Sequence, residues 1–224
     1  MELDMELGEE EFRRNGFDKV RKHLRWVYKG REIWSHHWFP IADGQRARIT
    51  IESFDTDWGG LGKEQAFQGV GLTIDKRIEI DGIKCSILTI WPYSQPAVRI
   101  WPETEEPCRT EFGMVHTEGG IKHRLCLWLE DPFRTVEIVV RTRDGHIHVW
   151  NAWHFVRGKK TWVWGDRGPE RLAFIRVIPG IEARRMGAGM IVEEIENGFR
   201  YHCNDGYRDE DFNDIVFRIE RCEE

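Results

Sequence analysis

Turn dipeptides recur through this chain between short runs of alternating apolar and polar residues, and that pairing restricts the fold more than any single motif does. Asp81-Gly82, Gly119-Gly120 and Asp144-Gly145 are each a two-residue hairpin signal, because Gly and Asp accept the positive φ that tight β-turns require. The flanking runs alternate. Ile49-Thr50-Ile51-Glu52-Ser53-Phe54, Val70-Gly71-Leu72-Thr73-Ile74 and Ile78-Glu79-Ile80 place apolar side chains on one face and polar ones on the other. The first dipeptide is expected to join 77–80 to 83–91, the second 114–116 to 124–129, and the third 136–143 to 146–153. Three hairpins, with strands recurring about every ten residues, predict an all-β fold: an antiparallel β-sandwich, jelly-roll-like, rather than a βαβ arrangement.

Between these runs, residues 59–62, 92–107, 165–169 and 179–189 gather Pro, Gly and acids, which suit irregular loops. No internal repeat and no linker divides the chain, and 224 residues suffice for one substantial core. The expectation is a single β-sandwich domain over 32–224, preceded by a charged arm over 1–31. Within that arm residues 2–11 carry six acids and 13–31 eight bases. Val20, Leu24 and Val27 fall at helical spacing after a candidate N-cap at Asp18, with Gly30 placed to end the helix, so one short N-terminal helix is expected.

A formal charge of -6 leaves no basic excess to hold a polyanion by counterion release, which argues against a nucleic-acid partner. No apolar run approaches the roughly 18 to 20 residues that span a bilayer, so no membrane association is expected. The acidic start, residues 1–6, is the opposite of a signal peptide's basic n-region; a cytoplasmic location follows, or a secreted one if a leader has been removed. The five cysteines, Cys85, Cys108, Cys126, Cys203 and Cys222, are widely spaced, which reads as free, mostly buried thiols, with Cys203 and Cys222 the pair best placed for a disulfide. Eleven tryptophans must serve either a core or a binding surface.

The densest chemistry lies at residues 204–214, Asn204-Asp205-Gly206-Tyr207-Arg208-Asp209-Glu210-Asp211-Phe212-Asn213-Asp214, which run directly into the strand pattern Ile215-Val216-Phe217-Arg218-Ile219. Hard cations such as calcium take six to eight oxygens, and a turn rich in Asp and Asn supplies several from a short length of chain. Asp209, Asp211 and Asn213 match the opening of an EF-hand loop, with Glu220 at the twelfth position. The match fails on two counts. Asp214 stands where the EF-hand needs Gly, and a strand over 215–220 carries Glu220 roughly 20 Å from Asp209. What survives is a cation site on a strand rim.

Residues 209–217, Asp-Glu-Asp-Phe-Asn-Asp-Ile-Val-Phe, resemble the D-x-D-[FY]-N-D-[LVI]-V signature near the C-terminus of a bacterial β-sandwich family of unknown function. That family is common in secreted and surface proteins and is regarded as calcium-binding. The resemblance covers about residues 190–220. It implies calcium-ligand roles for Asp209, Asp211, Asn213 and Asp214, with Glu194 about where the family has a Glu-Asp pair; here the pair is Glu193-Glu194. A second acidic turn, Asp55-Thr56-Asp57, is placed to add ligands if the fold brings it near.

Trp162 and Trp164 share one face of a predicted strand, with Trp150 and Trp153 just before them, and flat rings on a sheet surface suit the apolar faces of pyranose sugars. His146 and His148 likewise share a strand face, the geometry of a zinc or iron site in a jelly-roll metalloenzyme, although no Glu follows at the spacing a cupin needs. His36 and His37, being neighbours, point to opposite faces of a strand. No nucleophile elbow, P-loop or dinucleotide fingerprint occurs. The expected function is therefore a non-catalytic, calcium-binding recognition module for carbohydrate; the alternatives are the His146/His148 metalloenzyme and a protein-protein interaction module.

Overall fold

The structure is a computed structural model that describes residues 25–28, 30–55, 64–92, 108–117, 123–157, 160–164, 189–204 and 211–223. Every regular element among the described residues is a strand. In chain order these are β1 (Arg25–Tyr28), β2 (Arg31–Trp34), β3 (His36–Pro40), β4 (Arg46–Phe54), β5 (Glu64–Ile80), β6 (Ile83–Pro92), β7 (Cys108–Arg109) and β8 (Gly113–Thr117). They continue with β9 (Arg124–Leu129), β10 (Thr135–Arg141), β11 (His146–Arg157), β12 (Lys160–Trp164), β13 (Gly189–Ile195), β14 (Gly198–Asn204) and β15 (Ile215–Arg221).

The strands form one mixed sheet that does not close into a barrel, with the order β1-β2-β13-β14-β15-β4-β10-β5-β6-β9-β8-β7; β11 joins β5 and carries β3 and β12. Its pairing is antiparallel except between β6 and β9, which run parallel with Leu88 beside Leu125 and Ile90 beside Leu127. The purely antiparallel expectation is thus corrected. A parallel pair needs both faces covered, and all six residues of β9 are buried.

The first expected hairpin forms as read. Ile80 pairs with Ile83 across Asp81 (φ 46°) and Gly82 (φ 79°), the two positive values a type I′ turn demands. The second is shifted: Met114 pairs with Trp128, three residues beyond the partner that a two-residue Gly119-Gly120 turn would set, and both glycines lie outside the described residues. The third does not form. β10 pairs with β4 and β5, while β11 crosses to β3 and β5.

Side-chain oxygens explain why the chain can leave the ladder at that corner. Asp43 accepts the Thr142 N–H at 2.8 Å, Asp75 accepts the Arg143 N–H at 3.0 Å, and Asp144 accepts the His146 N–H at 3.0 Å. These are donors that a hairpin ladder would otherwise have satisfied. Strand β5 makes the complementary move. Its register shifts between Thr73 and Ile78, so residues 64–73 pair with β11 and 77–79 pair with β10.

The expected helix is corrected over its last turn. Trp26, Val27 and Tyr28 are strand formers, and Gly30 (φ 76°) closes the β1–β2 hairpin instead of ending a helix. Val20 and Leu24 lie outside the described residues.

Alternation builds the main core. Ala47, Ile49 and Ile51 of β4, Val136, Ile138 and Val140 of β10, and Ile215, Phe217 and Ile219 of β15 are all buried, with Leu72, Leu88 and Leu127 in the same cluster. From β3, Phe39 and His37 lie edge-on to Phe199 of β14, at 6.0 and 4.8 Å between ring centroids. The other side of the β5–β6–β9–β11 region carries a second cluster: Trp91, Cys126, Trp128, Trp150 and Ala152. Gly71 is what admits it, since a Cβ there would lie 2.1 Å from a Trp150 ring atom. All five cysteines are free, with Cys85, Cys126 and Cys203 buried, so the Cys203–Cys222 disulfide is not formed.

Candidate metal centre

The acidic turn is built between the end of β14 and the start of β15. Asn204 closes β14 fully buried, and its Oδ1 accepts the Phe212 N–H at 3.5 Å. Phe212 holds a left-handed φ of 58°, costing on the order of 1 kcal/mol for a non-glycine residue, and burial of its ring offsets that cost. The reversal lets Asp211 Oδ1 accept the Asn213 N–H at 3.2 Å, an Asx turn. Asp214 donates its N–H to the Cys203 carbonyl at 3.1 Å, and its own carbonyl accepts the Asp55 N–H at 2.8 Å.

That last bond joins two acidic residues distant in sequence. Phe54 pairs with Ile215, so Asp55 after β4 and Asp214 before β15 adjoin at one end of this strand pair. Asp211 and Asn213 are exposed and the Asp214 side chain is buried. Burial pushes the Cys203 thiol well above its ordinary range, and the negative charge of Asp214 acts in the same direction. Asp209 and Asp57 lie outside the described residues.

Glu194 sits elsewhere. It pairs with Phe199 beside the Glu196-Asn197 turn, whereas the acidic turn adjoins the far end of the same ladder, where Gly189 meets Asn204. Five residues of strand separate them, about 17 Å at 3.3 Å each. The structure therefore does not bring Glu194 to Asp211, Asn213 and Asp214. Among the described residues no group of three His, Cys, Asp or Glu is placed to hold a metal ion. The donors this turn does present, carboxylate and amide oxygens without thiolate or imidazole, fit a hard cation.

His146 and His148 are engaged by their own turn. His146 Nδ1 lies 2.7 Å from the Asp144 carbonyl, and His148 Nε2 lies 3.2 Å from Asp144 Oδ2. Partial burial pushes the Asp144 carboxyl up, but hydrogen bonds from His148, Thr142 and the His146 backbone outweigh it and hold the group below its ordinary value. Trp38 packs against the His148 ring at 5.4 Å. This arrangement stabilises a corner of the sheet.

Trp150 is 3% exposed, its Nε1–H reaching Thr73 Oγ1 at 3.4 Å, so it belongs to the second core cluster and not to a free sugar platform. Trp153 pairs with Trp164, and Trp162 with Phe155, across the β11–β12 ladder; their side chains lie outside the described residues.

Two features escaped the sequence reading. Asn151 Nδ2 donates to the Asn204 carbonyl at 3.0 Å, linking β11 to the root of the acidic turn. Its signal was an Asn in phase with the buried Ile147 and Val149, a polar residue on a dry face. His37 Nδ1 lies 3.0 Å from Tyr201 Oη, inside rings from Trp34, Phe199 and Tyr201; its phase with Phe39 was the corresponding clue. Among the described residues no helix is long and apolar enough to cross a membrane. No protein-family profile, curated protein or solved structure matches this chain.

Proposed function

We propose that this chain is a non-catalytic, calcium-binding recognition module with a jelly-roll-like sandwich architecture, holding calcium at the C-terminal acidic turn. The observation that supports the reading is the Asp55 N–H to Asp214 carbonyl bond at 2.8 Å, which brings Asp55 beside Asp214. Asp55, Asp211, Asn213 and Asp214 carry the hard oxygen donors that a calcium shell takes. Asp209, Asp211, Asn213 and Asp214 are the ligands within the C-terminal turn, with Glu194 outside the shell on grounds of distance. Calcium there ties the last strand to the loop after β4 and stabilises the fold by mass action.

For recognition, the β11–β12 pairing aligns Trp153 with Trp164 and Phe155 with Trp162, a register that suits an aromatic platform for carbohydrate. The net charge of -6 weighs against a nucleic-acid ligand. Metal analysis of protein purified without chelator tests the first half: calcium near one per chain supports it, while zinc or iron at that level removes it in favour of the histidine site. A glycan array, with Trp162→Ala and Trp164→Ala as controls, tests the second. Binding lost in both variants supports a sugar platform, and silence from the intact protein discards it.

A further inference from the structure

We propose that the open edge of β10 beside the Asp81-Gly82 turn is a docking groove for an extended, basic peptide segment of a partner protein, which adds to the sheet as a short strand. This groove is independent of the acidic turn. β10 pairs with β4 from Thr135 to Val139 but with β5 only from Val139 to Arg141, because β5 ends at Ile80 and turns into β6. Along Thr135 and Glu137, β10 therefore has a neighbouring strand on one side alone among the described residues. Alternation decides which main-chain groups are left there. The Arg134 carbonyl accepts the Ile51 N–H at 2.8 Å, and Val140 donates to the Gln45 carbonyl and accepts the Gly44 N–H, so both direct these groups at β4 and its approach. Thr135 and Glu137, of the other parity, aim their N–H and C=O groups away from β4, into the gap beyond Ile80.

That gap is a cleft of about 430 Å³, lined besides β10 by Asp81, Gly82, Glu111 and Phe112. Asp81 Oδ2 accepts the Glu111 N–H at 2.9 Å, which holds the two turns together. An open strand edge inside a cleft is what strand addition uses, and charge identifies the strand it takes. Four carboxylates, those of Glu79, Asp81, Glu111 and Glu137, line the cleft against one cation, Arg46, which lies 3.2 Å from Glu137. Asp81 and Glu111 form no ion pair among the described residues. A lysine or arginine side chain supplies their partner, with its aliphatic stem against Phe112. Phe112 is partly buried and meets Phe133 edge-on at 6.4 Å, and Phe133 is 45% exposed, so this apolar rim reaches solvent.

Fluorescence anisotropy of a labelled hexapeptide of alternating valine and lysine, titrated with the full chain at low salt, tests the groove. Binding should saturate at about one peptide per chain. The same peptide N-methylated throughout keeps its charge and loses its main-chain donors, so it should bind about tenfold more weakly; equal affinity overturns strand addition. Glu111→Lys should weaken binding of the lysine peptide about tenfold. Glu32→Lys makes the same charge change on exposed β2, five strands away in the sheet order, and should stay within about twofold of the parent. Equal loss in both variants reveals attraction to net charge alone and overturns the site. A valine-glutamate hexapeptide that binds as well as the lysine peptide overturns it too, as does silence from the parent. Should Glu111→Lys melt well below the parent, the N-methylated peptide decides alone. Sedimentation of the unliganded parent covers the rival occupant: a dimer that Glu111→Lys dissociates makes this edge a contact between two copies of the chain, and overturns the basic partner.

Discussion

Acid should unfold this protein partly through one residue, His37. The ring is buried on β3 against Trp34, Phe199 and Tyr201, and burial lowers its pKa from 6.5 to about 4, with the charge of His146 acting in the same sense. Burial also raises the Tyr201 phenol well above its ordinary value, so the hydroxyl stays protonated, and it is hydrogen-bonded to His37 Nδ1 at 3.0 Å. Protonating His37 places a cation among three aromatic rings.

The unfolded chain takes up the proton below pH 6.5, the folded one only near pH 4, so stability rises with pH across that window. The contribution is fully present above 6.5, is lost as pH falls through 4, and amounts to about 3 kcal/mol at 1.36 kcal/mol per pKa unit. Urea unfolding of the parent and of His37→Phe at pH 7, 5 and 4, followed by tryptophan fluorescence, isolates it. Carboxylates contribute the same acid slope to both proteins. The variant pays a constant cost for the unpaired Tyr201 hydroxyl but loses about 3 kcal/mol less than the parent between pH 7 and pH 4. Parallel pH profiles refute the reasoning, since His37 would then titrate alike in both states.

Four further substitutions discriminate kinds of stabilisation. Gly71→Ala drives a methyl to 2.1 Å from the Trp150 ring and should cost about 1–3 kcal/mol in chemical denaturation, with altered near-UV circular dichroism from the displaced indole. Gly198→Ala should cost more than Gly82→Ala. The first meets the Ile219 backbone carbonyl at 1.9 Å, whereas the second meets nothing within 4 Å and pays only about 1–2 kcal/mol for its left-handed φ. Glu52→Ala removes contacts to Arg200 at 3.0 Å and Arg218 at 3.3 Å, yet all three side chains are partly exposed, so the loss should stay below about 1 kcal/mol and shrink in high salt.

Local chemistry was legible in this sequence wherever adjacent residues decide the outcome. Asp81-Gly82 forms its turn because both positions reach positive φ, and the alternation of Ile49 to Glu52 and Ile215 to Ile219 predicts which side chains are buried. Asn197-Gly198 was an equally strong signal left unread. It marks the β13–β14 reversal, with Gly198 required by its approach to Ile219.

Partner choice was not legible. Asp144-Gly145 makes a turn, but Asp43 and Asp75, supplied from distant corners, satisfy donors there and release β11 to pair with β3. Gly30 fits a helix terminus and a hairpin equally well, and only the strand-forming Trp26, Val27 and Tyr28 before it decide. At the site, the composition of the acidic turn was readable in one dimension, whereas its bond to Asp55 and its support from Asn151 depend on β4 and β11 arriving at the same rim. Glu194 shows the converse: nearness in sequence placed it in the shell, and an antiparallel ladder carries it to the opposite end.

Thermal melting in EDTA and in excess calcium, for the parent and for Asp211→Ala, tests most directly whether this rim is a calcium site. The account predicts a higher midpoint for the parent in calcium, corresponding to about 2.7 kcal/mol when calcium stands at a hundred times its dissociation constant, and no such rise in the variant. Identical midpoints for the parent with and without calcium would contradict it.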